Sequence, residues 1–256
     1  MANVTLTGNL GSGKSTVCKL LEKEHGYEIY STGKVIRAIA DDLGISVLEM
    51  NELMTKDHKY DHMIDEKTAA IGAEEHEQDI LFDSRLAWHF VEKSFKVFLS
   101  VDLTEAARRV YNDASRGEVE AYQSIEDAKK QLAARAANED ARYEELYGIH
   151  YFDFNNYNMV LDTSFLEPER IAKFLRQQAK ACEKEQGYDR PVHIFLSPKR
   201  LGAEGIKPTF RHGFVAPAKD ITVRYDGELF TIVEGAESVA KAATDGYAYV
   251  EVKLVP

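Results

Sequence analysis

Eight residues near the start of the chain, Gly8-Asn9-Leu10-Gly11-Ser12-Gly13-Lys14-Ser15, limit its possible folds more than any other segment. The G-x-x-x-x-G-K-S spacing sits between a β-like run, Asn3–Thr7, and a stretch from Ser15 to His25 whose Val17, Leu20 and Leu21 recur at helical intervals. Strand, tight loop and helix in that order cradle phosphate. Glycines let backbone N–H groups turn toward an anion, and the helix N-terminus adds partial positive charge. Gly8, Gly11, Ser12, Gly13, Lys14, Ser15 and Thr16 are therefore the expected binding residues for a nucleoside triphosphate. Lys14 would reach its terminal phosphates, and the Ser15 hydroxyl would ligate Mg²⁺.

The apolar runs Ile80–Phe82, Phe95–Val101 and Met159–Leu161 alternate with helical stretches, the pattern of a parallel sheet covered by helices on both faces. The expected fold class is α/β, a P-loop domain over residues 1–186. Between Ser31 and Gly72 the sequence reads as helical, with Val35, Ile36, Ile39, Ala40 and Leu43 on one apolar face. A second helical insertion follows Arg108-Arg109, has a helix start at Ser124-Ile125-Glu126-Asp127 and ends near Tyr147-Gly148. In a P-loop kinase, insertions at these places form an acceptor-binding subdomain, here about 31–75, and a mobile lid, about 110–147. Composition shifts after Gly187-Tyr188-Asp189-Arg190-Pro191. Strand-like His193–Leu196, Ile221–Tyr225, Leu229–Val233 and Tyr249–Leu254, a hairpin signal at Asp226-Gly227 and helix-like Ala236–Thr244 predict a small α+β domain over 190–256.

Charge and composition exclude several functions. A formal net charge of −11 over 256 residues argues against a broad nucleic-acid surface, which needs clustered Lys and Arg. No apolar run is long enough to span a bilayer. The strand beginning at Asn3 leaves no room for a signal peptide, so a cytoplasmic location is expected. Cys18 and Cys182 lack metal-binding or C-x-x-C spacing and are expected to be reduced.

Against this acidic background a few hydroxyls and cations carry the chemistry. Ser31-Thr32-Gly33 opens the first insertion, and Arg37 follows Gly33 by about one helical turn, so a hydroxyl and a guanidinium could share an acceptor's phosphate. Asp83-Ser84-Arg85 follows the Ile80–Phe82 strand, at the carboxyl edge where ligands bind in open parallel sheets. Asp83 is placed to position Mg²⁺ or its water, and Arg85 to meet the acceptor. Arg108, Arg109, Arg116, Arg135 and Arg142 concentrate positive charge in the lid region, where closure over a transferring phosphoryl group would stabilise its dispersed charge. The competing structural readings are helix caps at Ser31 or Thr32 and surface pairs such as Glu105 with Arg108 or Arg109 and Glu139 with Arg142.

Together these motifs resemble the archaeal-type cytidylate kinases among the P-loop nucleoside monophosphate kinases, over about residues 3–180. The likeness runs through Gly8–Thr16, Ser31-Thr32-Gly33 with Arg37, Ile80-Leu81-Phe82-Asp83-Ser84-Arg85-Leu86-Ala87-Trp88 and Ala141-Arg142-Tyr143-Glu144-Glu145-Leu146-Tyr147-Gly148-Ile149. It implies phosphoryl transfer from Mg·ATP to a nucleoside monophosphate, CMP or dCMP being favoured. By that resemblance Lys14, Asp83, Arg135 and Arg142 serve catalysis, Ser31, Gly33, Arg37 and Arg85 bind the monophosphate, and Ser15 and Asp83 hold the metal. Two positions depart from the family pattern: its D-G-R reads Asp83-Ser84-Arg85, and a lid arginine is replaced by Asp140. Two other readings stay open, an ATP-binding regulatory or interaction module with little turnover and a kinase for another small acceptor. The tail weakly resembles the ParB/sulfiredoxin-like fold in Ile221–Gly227 and Ile232–Ala243, with Ala236-Glu237-Ser238 where that family carries phosphate-binding arginines. Their replacement implies a structural or protein-binding tail.

Overall fold

The computed structural model describes residues 3–46, 49–50, 53–54, 58–113, 122–185 and 187–256; Arg116 and part of the expected lid lie outside these. Nine strands are present: β1 (Asn3–Gly8), β2 (Glu28–Ser31), β3 (Ile80–Asp83), β4 (Phe95–Ser100), β5 (Met159–Asp162), β6 (His193–Leu196), β7 (Thr222–Tyr225), β8 (Phe230–Glu234) and β9 (Val250–Leu254). The described α-helices are α1 (Lys14–His25), α2 (Thr32–Leu43), α3 (Lys59–Ala73), α4 (Ala87–Phe90), α5 (Leu103–Tyr111), α6 (Ile125–Tyr147), α7 (Pro168–Glu185) and α8 (Ala236–Thr244). The sheet order is β2-β3-β1-β4-β5-β6-β9-β7-β8, and the first six of these strands are parallel.

Strand alternation divides the core between two faces. Val4, Leu6, Val97, Leu99, Met159 and Leu161 pack with Val17, Cys18 and Leu21 of α1 and Ile171, Phe174 and Leu175 of α7. Their neighbours Phe98, Val160, Ile194 and Leu196 pack with Tyr151, Phe154 and Tyr157 on the other face. Helices therefore cover the sheet on both sides, as the alternating apolar runs predict. β2 carries no such run. Its Glu28-Ile29-Tyr30-Ser31 is an edge strand set by pairing with β3. The predicted start of α6 is present, with the Ser124 hydroxyl accepting from the Asp127 amide at 3.1 Å.

The tail continues the same sheet. β6, read from sequence as part of the tail, is the sixth parallel strand; β9 pairs antiparallel with it and parallel with β7. The boundary expected near residue 190 thus falls inside one continuous sheet. The β7–β8 turn forms at Asp226-Gly227, where the Asp226 carboxylate accepts from the Glu228 and Leu229 amides at 2.9 and 2.8 Å. Phe154 lies 5.1 Å from Tyr225 and 6.1 Å from Phe230, ring to ring, so the two parts share a core.

Asp162, at the carboxyl end of β5, joins them. Its carboxylate accepts from Arg200 Nη1 at 3.1 Å and the Ser197 amide at 3.1 Å, and its carbonyl accepts from the Tyr249 hydroxyl at 3.0 Å. Arg200 also donates to the Ser100 hydroxyl at 2.8 Å and the Val101 carbonyl at 3.2 Å. The side chains of Arg200 and Asp162 are 5% and 0% exposed. Cys18 and Cys182 are free and buried, and burial pushes the Cys18 thiol up to about 11. Among the described residues no helix is long and apolar enough to cross a membrane. Removing one partner of a buried ion pair strands the other's charge, so Asp162→Ala is expected to lower the unfolding free energy by about 3–5 kcal/mol in urea titrations. The wild-type chain is expected to unfold in one transition, coincident by Trp88 fluorescence and by circular dichroism; a separate early transition would show the tail unfolding alone.

Candidate active site

Strand register assembles the site before any side chain is considered. Leu6 of β1 pairs with Asp83, Asp83 pairs with Ser31 of β2, and Gly8 pairs with Leu99 of β4. The phosphate loop, the Asp83 carboxylate and the Ser31 hydroxyl therefore share one carboxyl edge. At Gly8, φ is 150° and a Cβ would stand 2.3 Å from the Leu99 carbonyl oxygen, so only glycine lets the loop leave the sheet there. Gly13, with φ 81°, is the N-cap of α1, and no side chain caps that helix. The Thr16 amide donates to the Gly13 carbonyl at 3.0 Å, and the Lys14 and Ser15 amides before it are the ones placed for a ligand. Among the described residues the buried Ser12 hydroxyl has no hydrogen-bond partner, which fits a loop whose polar groups await phosphate oxygens. Ser15 and Thr16 are exposed at the start of α1.

The cations of the site are matched by carboxylates. Lys14 pairs with Asp83, their side chains being 19% and 17% exposed. Burial draws the Lys14 ammonium down to about 8; the neighbouring Arg85 charge acts the same way, while Cys18 and Glu139 oppose it. Arg85 donates to the Gly8 carbonyl at 2.6 Å and the Tyr151 hydroxyl at 3.1 Å, and its Nε lies 3.4 Å from Glu139. Burial works against the Arg85 charge, but Tyr151 and Glu139 hold its pKa above the ordinary value. Arg135 pairs with the same Glu139 at 3.4 Å, and Arg142 pairs with Asp61 at 2.9 Å. The surface pair of Glu139 with Arg142 is thus replaced by two others, because α6 packs on the site and brings Asp61 of α3 within reach. Arg109 does pair with Glu105, and it also donates to the Gly11, Thr163 and Ser164 carbonyls at 3.3, 2.6 and 3.0 Å.

A pocket of about 290 Å³ opens on the β2–β3 side of the loop, between α2, α3 and α6. Thr32, Asp61, Asp65, Ser84, Arg85 and Arg142 line it. Close by, the position of a Cβ on Gly33 would be 3.7 Å from both the Ser31 hydroxyl and an Arg37 guanidinium nitrogen, so these two predicted phosphate ligands converge. Arg37 has no ion pair among the described residues. Of the two departures from pattern, Ser84 is buried, with its hydroxyl accepting from the Leu86 amide at 3.4 Å, and Asp140 accepts from the Tyr151 amide at 2.8 Å. Both are used by the backbone.

Four residues of the site escape sequence reasoning: Tyr151, Glu139, Asp61 and Asp65. The Tyr151 ring is fully buried under the loop, and its hydroxyl donates to the Gly8 carbonyl at 2.9 Å, accepts from the Gly8 amide at 3.2 Å and contacts the Thr7 hydroxyl at 2.8 Å. Nothing in the sequence separates it from the other 12 of the chain's 13 tyrosines. The three acids lie on helices that read as solvated faces.

Burial raises the Asp65 carboxyl to about 6; the hydrogen bond that the Tyr147 hydroxyl donates to it at 2.7 Å acts against this, and Asp61 adds to it. A carboxyl raised in the folded state adds stability below its unfolded pKa, and that contribution is lost as pH rises through the folded value. Asp65→Asn is therefore expected to gain stability relative to wild type between pH 4 and pH 7, in thermal melts across that range. Tyr151→Phe strands the Gly8 amide, with an expected loss of about 1–3 kcal/mol in urea titrations.

The geometry agrees with the chain's relatives. The cytidylate kinase-like family matches residues 3–165. A cytidylate kinase of Natronomonas pharaonis is 34% identical over 180 residues, covering 70% of this chain and 89% of that protein. One of Thermoplasma volcanium is 30% identical, covering 72% and 95%. Among solved structures, a shikimate kinase from Bacteroides thetaiotaomicron superposes with a TM-score of 0.51 at 15% identity, covering 70% of this chain and 98% of its own, which speaks for the P-loop kinase fold alone. With its phosphate loop, its Ser31–Arg37 pair and its α6 arginines in one continuous match, the chain belongs to the cytidylate kinase-like family.

Proposed function

We propose that the chain transfers the γ-phosphoryl group of ATP to a nucleoside monophosphate, CMP or dCMP. The observation that carries this reading is the convergence on one sheet edge of a phosphate loop with open amides and, beside it, a pocket that adjoins the Ser31–Arg37 pair and is lined by Arg85 and Arg142. An acceptor phosphate held by Ser31, Arg37 and Arg85 already carries a nucleophilic oxygen, so the protein's task is alignment and charge neutralisation. Lys14 would leave Asp83 for the β- and γ-phosphates. The exposed Ser15 hydroxyl and the Asp83 carboxylate form a hard-oxygen donor set suited to Mg²⁺, which when bound offsets charge on the donor phosphates. Arg135 and Arg142, on the helix α6 that lines the pocket, would neutralise the transferring group. Asp61 and Asp65 place hydrogen-bond acceptors in the acceptor pocket, where an exocyclic amino group such as that of cytosine finds a partner.

Lys14→Ala is expected to reduce CMP phosphorylation at least about 100-fold in a coupled assay while leaving the circular dichroism spectrum unchanged. A panel of CMP, dCMP, UMP, AMP, GMP, nucleosides and free serine, each with Mg·ATP, tests the acceptor. Turnover of none, with ATP bound, would favour the regulatory reading.

A further inference from the structure

On the opposite side of the phosphate loop from the acceptor pocket, at the carboxyl ends of β5 and β6, lies a cavity of about 770 Å³. One wall comes from α5 and the loop after β5, through Arg108, Ser164 and Phe165. The other comes from the C-terminal segment, through Lys199, Lys207 and Tyr247, beyond the residues 3–165 that define the family match. We propose that this segment completes the donor site, and that the base and ribose of the triphosphate occupy the cavity. The inference rests on the reading of the loop as an ATP site and adds the residues that hold the nucleoside.

Three observations support it. First, Arg109 ties Gly11 of the phosphate loop to the Thr163 and Ser164 carbonyls, so the loop is braced to a wall of the cavity that Ser164 and the neighbouring Arg108 line. Second, the tail wall is fixed at the sheet edge: Arg200, next to Lys199, is buried against Ser100, Val101 and Asp162, and the Ile206 amide donates to the Ala243 carbonyl at 3.2 Å. Third, Phe165 is 36% exposed, and the Lys199 ammonium stands 4.5 Å from its ring centre. An aromatic face and a cation at the mouth of a cavity of this size, within the range of about 300–1,000 Å³ typical of small-molecule sites, suit a planar base and the hydroxyls of a ribose.

The test compares ATP with inorganic tripolyphosphate, both with Mg²⁺, by calorimetry on the full-length chain. Ala203→Trp, which narrows the cavity, and Lys199→Glu are expected to weaken ATP at least fivefold and leave tripolyphosphate within about twofold. In the wild-type chain, hydrogen exchange at residues 203–208 is expected to slow with ATP and not with tripolyphosphate, a readout that does not depend on either variant folding. Unchanged ATP affinity in both variants without ATP-specific protection overturns the proposal and leaves the ATP site standing. Equal losses for both ligands also overturn it, since the nucleoside is then not what the tail senses. A wild-type chain that binds neither ligand overturns the ATP reading and the proposal with it.

Discussion

A cation withdrawn from water needs a counter-charge, and at the sheet edge this requirement sets the side chains of Lys14 and Arg85, 19% and 24% exposed, against carboxylates, with further pairs more exposed around them. Lys14 has Asp83, Arg85 and Arg135 share Glu139, and Arg142 has Asp61. The arrangement keeps guanidinium and ammonium groups poised beside the loop without a bound anion, so that a phosphate exchanges for a carboxylate instead of ordering side chains from solvent. It also links elements distant in sequence. Arg142 and Tyr147 on α6 bond to Asp61 and Asp65 on α3, so the helix of the lid region and the acceptor insertion are held together across the acceptor pocket. On the proposed reading a monophosphate entering between them would compete with Asp61 for Arg142 and so act on both at once.

At the other end of the edge a single carboxylate has the same organising effect. Asp162 receives Arg200, the Ser197 amide and the Ser164 hydroxyl, and with side-chain exposures of 0% and 5% neither it nor Arg200 can be satisfied by solvent. Burying such a pair is costly unless every polar group is used, and here Asp162 takes donors from the loop after β5 and the turn after β6, while Arg200 also donates to Ser100 and Val101 at the end of β4. That is why the tail is tied to the kinase sheet instead of hanging from it, and why its loops come to rest beside the loop after β5.

The legible part of this architecture is the part written in local patterns. The phosphate loop, four of the six parallel strands as runs in alternation with helices, the Ser124 cap and the Asp226-Gly227 turn each follow from residues adjacent in sequence. β6 was legible as a strand and not as a member of the parallel sheet, because its neighbour β5 is separated from it by the whole of α7. β2 was missed because Glu28-Ile29-Tyr30-Ser31 is short, sits at an edge and owes its extension to β3. Tyr151 and the acids at 61, 65 and 139 were missed for one shared reason: each is drawn into the site by a partner far away in sequence, Gly8, Arg142, Tyr147 and Arg85 respectively, and only tertiary packing brings such groups together. Asp140 shows the converse. Read against a family pattern it is a charge reversal in the lid; in the fold it anchors the amide of Tyr151, whose hydroxyl supports Gly8.

These pieces give the sheet edge a direction. The pocket proposed for the acceptor lies at β2 and β3, the phosphate loop follows β1, and the cavity walled by the tail lies at β5 and β6, so on the proposed reading the strand order β2-β3-β1-β4-β5-β6 would lay acceptor, phosphates and nucleoside along a single line. In-line phosphoryl transfer requires that alignment and little covalent participation by the protein, because the acceptor oxygen is already a nucleophile. A rigid edge fixes the line. Its two ends are closed by different means, a carboxylate-bridged insertion at one and a buried ion pair holding strands added to the same sheet at the other. On the proposed reading the tail would act on the reaction through the donor, while base choice in the acceptor would fall to Asp61, Asp65 and the helices that carry them, at the far end of the sheet.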